Sequence, residues 1–98
     1  MKYEIISTDT FNRWFAKLKD PTTKQKVLAR LARVENGNFG DFKSITNDLF
    51  ELRLFFGSGL RIYYTIQNNR FVLLLSGGDK SSQTKDIEKV KQLLNELE

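Results

Sequence analysis

The hydrophobic pattern changes period three times along the chain, and each change marks a passage between strand and helix. Lys2 to Ser7 alternates and is rich in Ile and Tyr, which predicts a first strand ending where Thr8 or Asp9 can cap a helix. From Asp9 to Lys19 the residues Phe11, Trp14, Phe15 and Leu18 recur at helical spacing and form one apolar stripe. Asp20-Pro21 restarts the chain as a cap followed by a proline at the first helical position. The second helix runs to about Val34, burying Val27, Leu28, Leu31 and Val34 and showing Lys24, Lys26, Arg30 and Arg33 to solvent. Beyond Asn36-Gly37 the period becomes two, and Leu49 to Phe56, Leu60 to Gln67 and Phe71 to Ser76 read as a three-stranded meander. A last amphipathic helix, capped by Ser82, carries Ile87, Val90, Leu93, Leu94 and Leu97 on one side. The order is βααβββα, an α+β chain with a helical hairpin packed on a twisted antiparallel sheet, read as one domain over residues 1–98.

Hairpin geometry then sorts the strand residues by face. A three-residue turn at Gly57-Ser58-Gly59, with Gly59 left-handed, pairs Phe56 with Leu60, Leu54 with Ile62 and Leu52 with Tyr64 on an apolar face. The other face pairs Arg53 with Tyr63 and Glu51 with Thr65. A two-residue turn at Asn68-Asn69 adds Leu73 and Leu75 to the core side and sets Ser76 beside Arg61 and Leu74 beside Tyr63. The polar face therefore gathers Glu51, Arg53, Arg61, Tyr63 and Ser76, and Gly77-Gly78 lets Lys80 fold back toward Arg61. Three cations in one place repel unless an anion sits among them, which points to a phosphate site. The alternative is a solvated sheet face in which Glu51 is only a cross-strand ion partner.

The chain has 98 residues and a net charge of +4, with no cysteine and no histidine. Disulfides, thiolate chemistry and histidine bases are thereby excluded, so chemistry falls to Arg, Lys, Tyr, Ser and carboxylates. No metal or cofactor is expected. No stretch approaches the roughly 18 apolar residues of a membrane span, and a cytoplasmic protein with a polyanionic partner is the expectation. Asp79-Lys80-Ser81-Ser82 lacks the glycine spacing of a nucleotide-binding loop.

Three segments, Leu49-Phe50-Glu51-Leu52-Arg53, Gly59 through Tyr64 and Leu73 through Gln83, in this order and spacing closely resemble the RelE/ParE toxin superfamily. Within it they look like the HigB-like, phage-derived addiction-module killer proteins. The resemblance implies the toxin of a type II toxin-antitoxin module. Such a toxin is a ribosome-dependent endoribonuclease that inhibits translation, partnered by an antitoxin of helix-turn-helix DNA-binding type. A second branch of the same superfamily, ParE-like, inhibits DNA gyrase without hydrolysis. Arg61 matches the arginine of the family's Gly-x-Arg motif, and Lys80 falls where many members carry a basic residue. Glu51 and Arg53 stand where RelE carries lysines, and the C-terminal tyrosine or histidine of other members has no counterpart here.

The chemistry so implied is metal-independent attack of an RNA 2′-hydroxyl on the adjacent phosphate. The catalytic candidates are Arg61, Arg53, Lys80 and Glu51: the arginines grip the phosphate, Glu51 is a general base, and Lys80 is its rival or the acid toward the leaving oxygen. RNA contacts are expected from Tyr63, Ser76, Lys43, Lys24 and Arg30. Tyr63 reads equally as an aromatic partner of Arg53, and the helical cations equally as a solvated face.

Overall fold

The computed structural model describes residues 2–97. The elements are β1 (Glu4–Ser7), α1 (Asp9–Ala16), α2 (Pro21–Glu35), β2 (Phe42–Ser44), β3 (Phe50–Leu54), β4 (Leu60–Gln67), β5 (Phe71–Gly78), a 3-10 turn (Lys80–Ser82) and α3 (Gln83–Leu97). They make an α+β fold with one mixed sheet in the order β1-β5-β4-β3-β2. Its pairs are antiparallel except for β1, which runs parallel to β5.

Local chemistry sets most of the boundaries. Thr8 caps α1 by accepting from the Phe11 amide, and its hydroxyl also donates to the Leu74 and Leu75 carbonyls at 2.9 and 3.0 Å, tying the helix start to β5. Asp20 caps α2 with Pro21 at its first position, as the sequence predicts. The last helix is entered through the 3-10 turn, and the capping box lies at the start of that turn. Asp79, not Ser82, is the capping residue, and Ser82 completes a reciprocal box by bonding the Asp79 amide.

One strand has no signal in the sequence. β2 is only three residues long, and it exists because Arg30 reaches out of α2 to hold the chain before it. Arg30 Nη2 donates to the Phe39 and Asp41 carbonyls at 2.8 and 2.7 Å, and its Nη1 donates to the Arg53 carbonyl at 2.9 Å. Arg30 is thus buried instead of solvent-facing, while Leu28, predicted to be in the core, is 54% exposed.

Register differs from the hairpin argument at both turns. Between β3 and β4 the pairs are Leu54 with Leu60, Arg53 with Arg61, Leu52 with Ile62 and Glu51 with Tyr63. The loop spans Phe55 to Gly59, with Gly57 and Gly59 at positive φ. The displacement is an even one, so every side chain keeps its predicted face. Between β4 and β5 the slip is one residue. Asn68 and Asn69 are both left-handed and Arg70 joins the loop, so pairing starts at Gln67 with Phe71. Val72 and Leu74 therefore face the helical hairpin, and Leu73 and Leu75 take the opposite face, reversing the prediction. A bulge between Tyr63 and Tyr64 then sets Ser76 opposite Tyr63 and Gly78 opposite Arg61, where the hairpin argument had placed Leu74 and Ser76.

The sheet is covered on both faces. Phe11, Val27, Leu31 and Val34 pack on Leu52, Leu54, Ile62, Tyr64, Val72 and Leu74. Val90 and Leu94 of α3 pack on Leu49, Tyr63 and Leu75. The face expected to be open and polar is thus roofed by α3, and its charged groups lie at the edge of a second core.

Candidate active site beneath the last helix

Glu51 is the centre of the site. It is 0% exposed and faces two guanidinium groups, with Arg53 Nε and Arg61 Nε each 3.7 Å from its Oε2. Its other oxygen, Oε1, accepts a 2.8 Å hydrogen bond from Gln83 Nε2 at the start of α3. Arg53 and Arg61 are direct cross-strand partners, an arrangement of like charges that is destabilising without a counter-ion. Glu51 supplies that counter-ion, two residue pairs further along the sheet and therefore on the same face. Arg61 is only 5% exposed and spends one donor, Nη1, on the Gly59 carbonyl at 3.3 Å. Arg53 keeps about a third of its side chain in solvent, at 35%.

Lys80 joins the cluster from β5's end. A methyl group at Gly59 would come within 3.5 Å of Lys80 Cβ and 3.9 Å of Arg61 Nη1, so the lysine stem and the arginine head flank one glycine. Gly59 is at φ +77°, where a side chain would be strained as well. Lys80 is held by the capping box, in which Asp79 Oδ1 accepts from the Ser81 and Ser82 amides. Hydrogen bonding from the Ser81 hydroxyl keeps the Asp79 carboxyl below the ordinary aspartate range.

The other site candidates fall in several places. Lys43 is exposed on β2 and pairs directly with Glu51, so it borders the cluster on the same face. Tyr63 is on this face too but is fully buried beneath α3, with no partner for its hydroxyl among the described residues. Burial, aided by the Glu51 charge, pushes its phenol well above the ordinary tyrosine value. It has no surface on which a base could stack, which corrects the expectation made for it. Glu51 is corrected likewise: a carboxylate with no exposed area, occupied by Gln83 and two arginines, is a counter-ion and not a group that meets a substrate hydroxyl. Arg30 is spent on three carbonyls, and Lys24 lies over the Phe15 ring on the hairpin side of the sheet, so neither joins the cluster. Ser76 is 6% exposed and opens toward α1.

Gln83, Trp14 and Asp86 were absent from the sequence-level candidates. Gln83 sits 32 residues after Glu51, and only the fold brings them together. The two glycines at the end of β5 serve packing: a methyl at Gly77 would sit inside the Trp14 indole, and one at Gly78 would meet the Asp86 carboxylate. The two side chains occupy the space beside the backbone there.

Residues 13–97 match the model of the family described as phage-derived protein Gp49-like. The chain belongs to that family. The Gp49-like chain is also 48% identical, over 97 residues, to an uncharacterized protein of Haemophilus influenzae strain Rd, with 99% of this chain and 98% of that one covered. Its fold is that of RelE toxins. A mutant of the Escherichia coli toxin RelE in the free state superposes with a TM-score of 0.69 at 19% identity, covering 88% of this chain and 93% of that one. The toxin-antitoxin complex RelBE2 of Mycobacterium tuberculosis contributes a match at TM-score 0.66 and 20% identity, over 82% of this chain and 100% of its own. The intact RelBE complex of E. coli matches at 0.61 and 20% identity, over 79% and 95%. The resemblance read from the sequence thus holds for the Gp49-like chain at the level of family and fold. Among the described residues, no helix is long and apolar enough to cross a membrane.

Proposed function

We propose that this chain is the toxin of a toxin-antitoxin module and cuts messenger RNA on the ribosome. The observation that carries the reading is the cross-strand pair Arg53 and Arg61, set side by side around a buried carboxylate with Lys80 against the same glycine. Two guanidiniums and one ammonium against a single carboxylate leave an excess of positive charge that reaches the surface through Arg53 and Lys80, suited to a phosphodiester.

In the reaction the 2′-oxygen forms a bond to the adjacent phosphorus and the bond to the 5′-oxygen breaks. A 2′,3′-cyclic phosphate and a 5′-hydroxyl are left, one proton having left the 2′-hydroxyl and one having reached the 5′-oxygen. Arg61 and Arg53 hold the non-bridging oxygens and stabilise the charge that grows on the phosphorane. Glu51 orients both guanidiniums from below. Lys80, the exposed amine of the cluster, is the group placed for proton transfer. The chain acts in the cytoplasm, and its partner is an antitoxin of helix-turn-helix type. The RelE-like neighbours solved in toxin-antitoxin complexes support an antitoxin as the partner.

The test is cleavage of mRNA on programmed ribosomes, read by mapping new 5′ ends. The parent should give in-frame breaks, and Arg61→Ala should slow them by about 10²-fold or more. Arg61→Ala and Lys80→Ala variants that keep their fold and cut as fast as the parent would defeat the proposal. Intact messages with double-strand DNA breaks would assign the chain to gyrase instead.

A further inference from the structure

β1 stops opposite Leu74, so on that side the rest of β5, from Leu75 to Gly78, has no strand beside it. α1 and α3 approach each other there. Between them is a groove of about 220 Å³ whose lining includes Arg13 and Lys17 from the α1 side, Asp86 and Lys89 from α3, and Ser76 with the edge of Trp14 at its base. Arg13 and Lys17 are four residues apart and share a helix face. The ion pairs found among the described residues are those of Glu51 with Arg53 and Arg61, so Arg13, Lys17 and Lys89 converge here with no carboxylate bound to any of them. The one acid in the groove, Asp86, is engaged by the Ser82 hydroxyl at 2.6 Å.

We propose that this groove is a second anion site, which holds successive phosphodiesters of the same RNA strand next to the one being cut. The inference rests on the reading of RNA as substrate. Ser76 pairs with Tyr63 and Gly78 with Arg61, so the groove mouth lies two residues along the sheet from the Arg61 position, about 7 Å. One strand can therefore run from one site to the other. Three unpaired cations against one occupied acid favour a chain of phosphates, and the Trp14 edge offers a base or ribose an apolar contact. The close approach of Trp14 to Gly77 is what shapes the groove floor.

The test uses the full chain and a single-stranded RNA oligonucleotide methylated at every 2′-oxygen, which binds but cannot be cut. Fluorescence anisotropy is measured across a salt series for the parent, for Arg13→Ala/Lys17→Ala/Lys89→Ala, and for the charge-matched Lys2→Ala/Arg70→Ala/Lys91→Ala. Each phosphate contact on a single strand contributes about 0.7 to the slope of log K against log salt. The groove triple should therefore flatten the slope by about 2, Lys17→Gln alone by about 0.7, and the control triple should leave it unchanged. All six positions are exposed, and thermal melts check that each variant folds. Equal flattening by both triples would mean net charge alone. An unchanged slope in the groove triple, or a parent that does not bind, would overturn the site. So would a groove triple that holds RNA normally but no longer binds its antitoxin, since the groove would then be a protein contact. Because the oligonucleotide is uncleavable, slope loss stands even if the ribosome assay shows no cutting. A chain that cuts while its groove triple keeps the parental slope sinks only the groove.

Discussion

Glu51 and Arg30 show how a charged side chain is used once burial removes water as a partner. Glu51 is ringed by two guanidiniums and an amide, so removing its charge leaves Arg53 and Arg61 directly opposed. Breaking a buried ion cluster by deleting one member costs about 3–5 kcal/mol. Glu51→Ala should lower stability by that order in chemical denaturation, whereas Glu51→Gln, which keeps the bond pattern to Gln83 possible, should lose less. Arg30 supports three carbonyls that belong to the loop before β2 and to the end of β3. Hydrogen bonds from charged groups contribute roughly 1.5–3 kcal/mol each, so Arg30→Met should destabilise by about 3 kcal/mol or more and should free the β2 amides to exchange hydrogen. A fully solvated arginine would show neither effect. Both residues were picked out in the sequence for substrate contact because residue type was legible and depth was not. A period-two pattern assigns a residue to a face without telling whether another element covers that face.

At the scale of elements, caps and amphipathic stripes were readable and pairing was only partly so. Asp20-Pro21 and the Phe11, Trp14 and Phe15 stripe have local causes, and they hold in the structure. The run Val72-Leu73-Leu74-Leu75 does not alternate, because β5 is buried on both faces. Such a run carries no register, and a turn one residue longer was enough to reverse its faces. β2 is shorter than any pattern can reveal. The contact of Trp14 with Gly77 joins α1 to β5 and gives a test of this packing. Gly77→Ala places a methyl in the indole and should cost about 1–3 kcal/mol by overpacking. Adding Trp14→Leu should return part of that loss, measured as a double-mutant cycle, and strictly additive effects would show that the two do not touch.

For the whole molecule, the two cores set how stability responds to pH. Tyr63 and Tyr64 are held neutral above the ordinary value of 10.0 by burial on opposite faces of the sheet. The unfolded chain ionises them near that value and the folded chain does not, so above about pH 10 the unfolded state binds fewer protons and stability falls as pH rises. The Asp79 cap works in the other direction. Its lowered carboxyl contributes in full above the ordinary value of 3.8 and loses its contribution as pH falls through the folded value. Denaturation midpoints across pH should therefore decline at both ends. Tyr63→Phe should shallow the alkaline limb, and Asp79→Asn the acid one.

The division between what the chain declares and what folding adds follows the range of the forces. Helix stripes, caps, strand segments and the family resemblance arise from neighbours along the chain, so the amino-acid order alone determined them. Depth, the pairing of β5 and the roof that α3 lays over Glu51 and Tyr63 depend on residues tens of positions apart, and no local pattern encodes which face will be covered. The arginines could be named from their motif. That a buried carboxylate would hold them side by side, and that three further cations would meet where β1 ends, was settled only when the sheet closed between its two layers of helices.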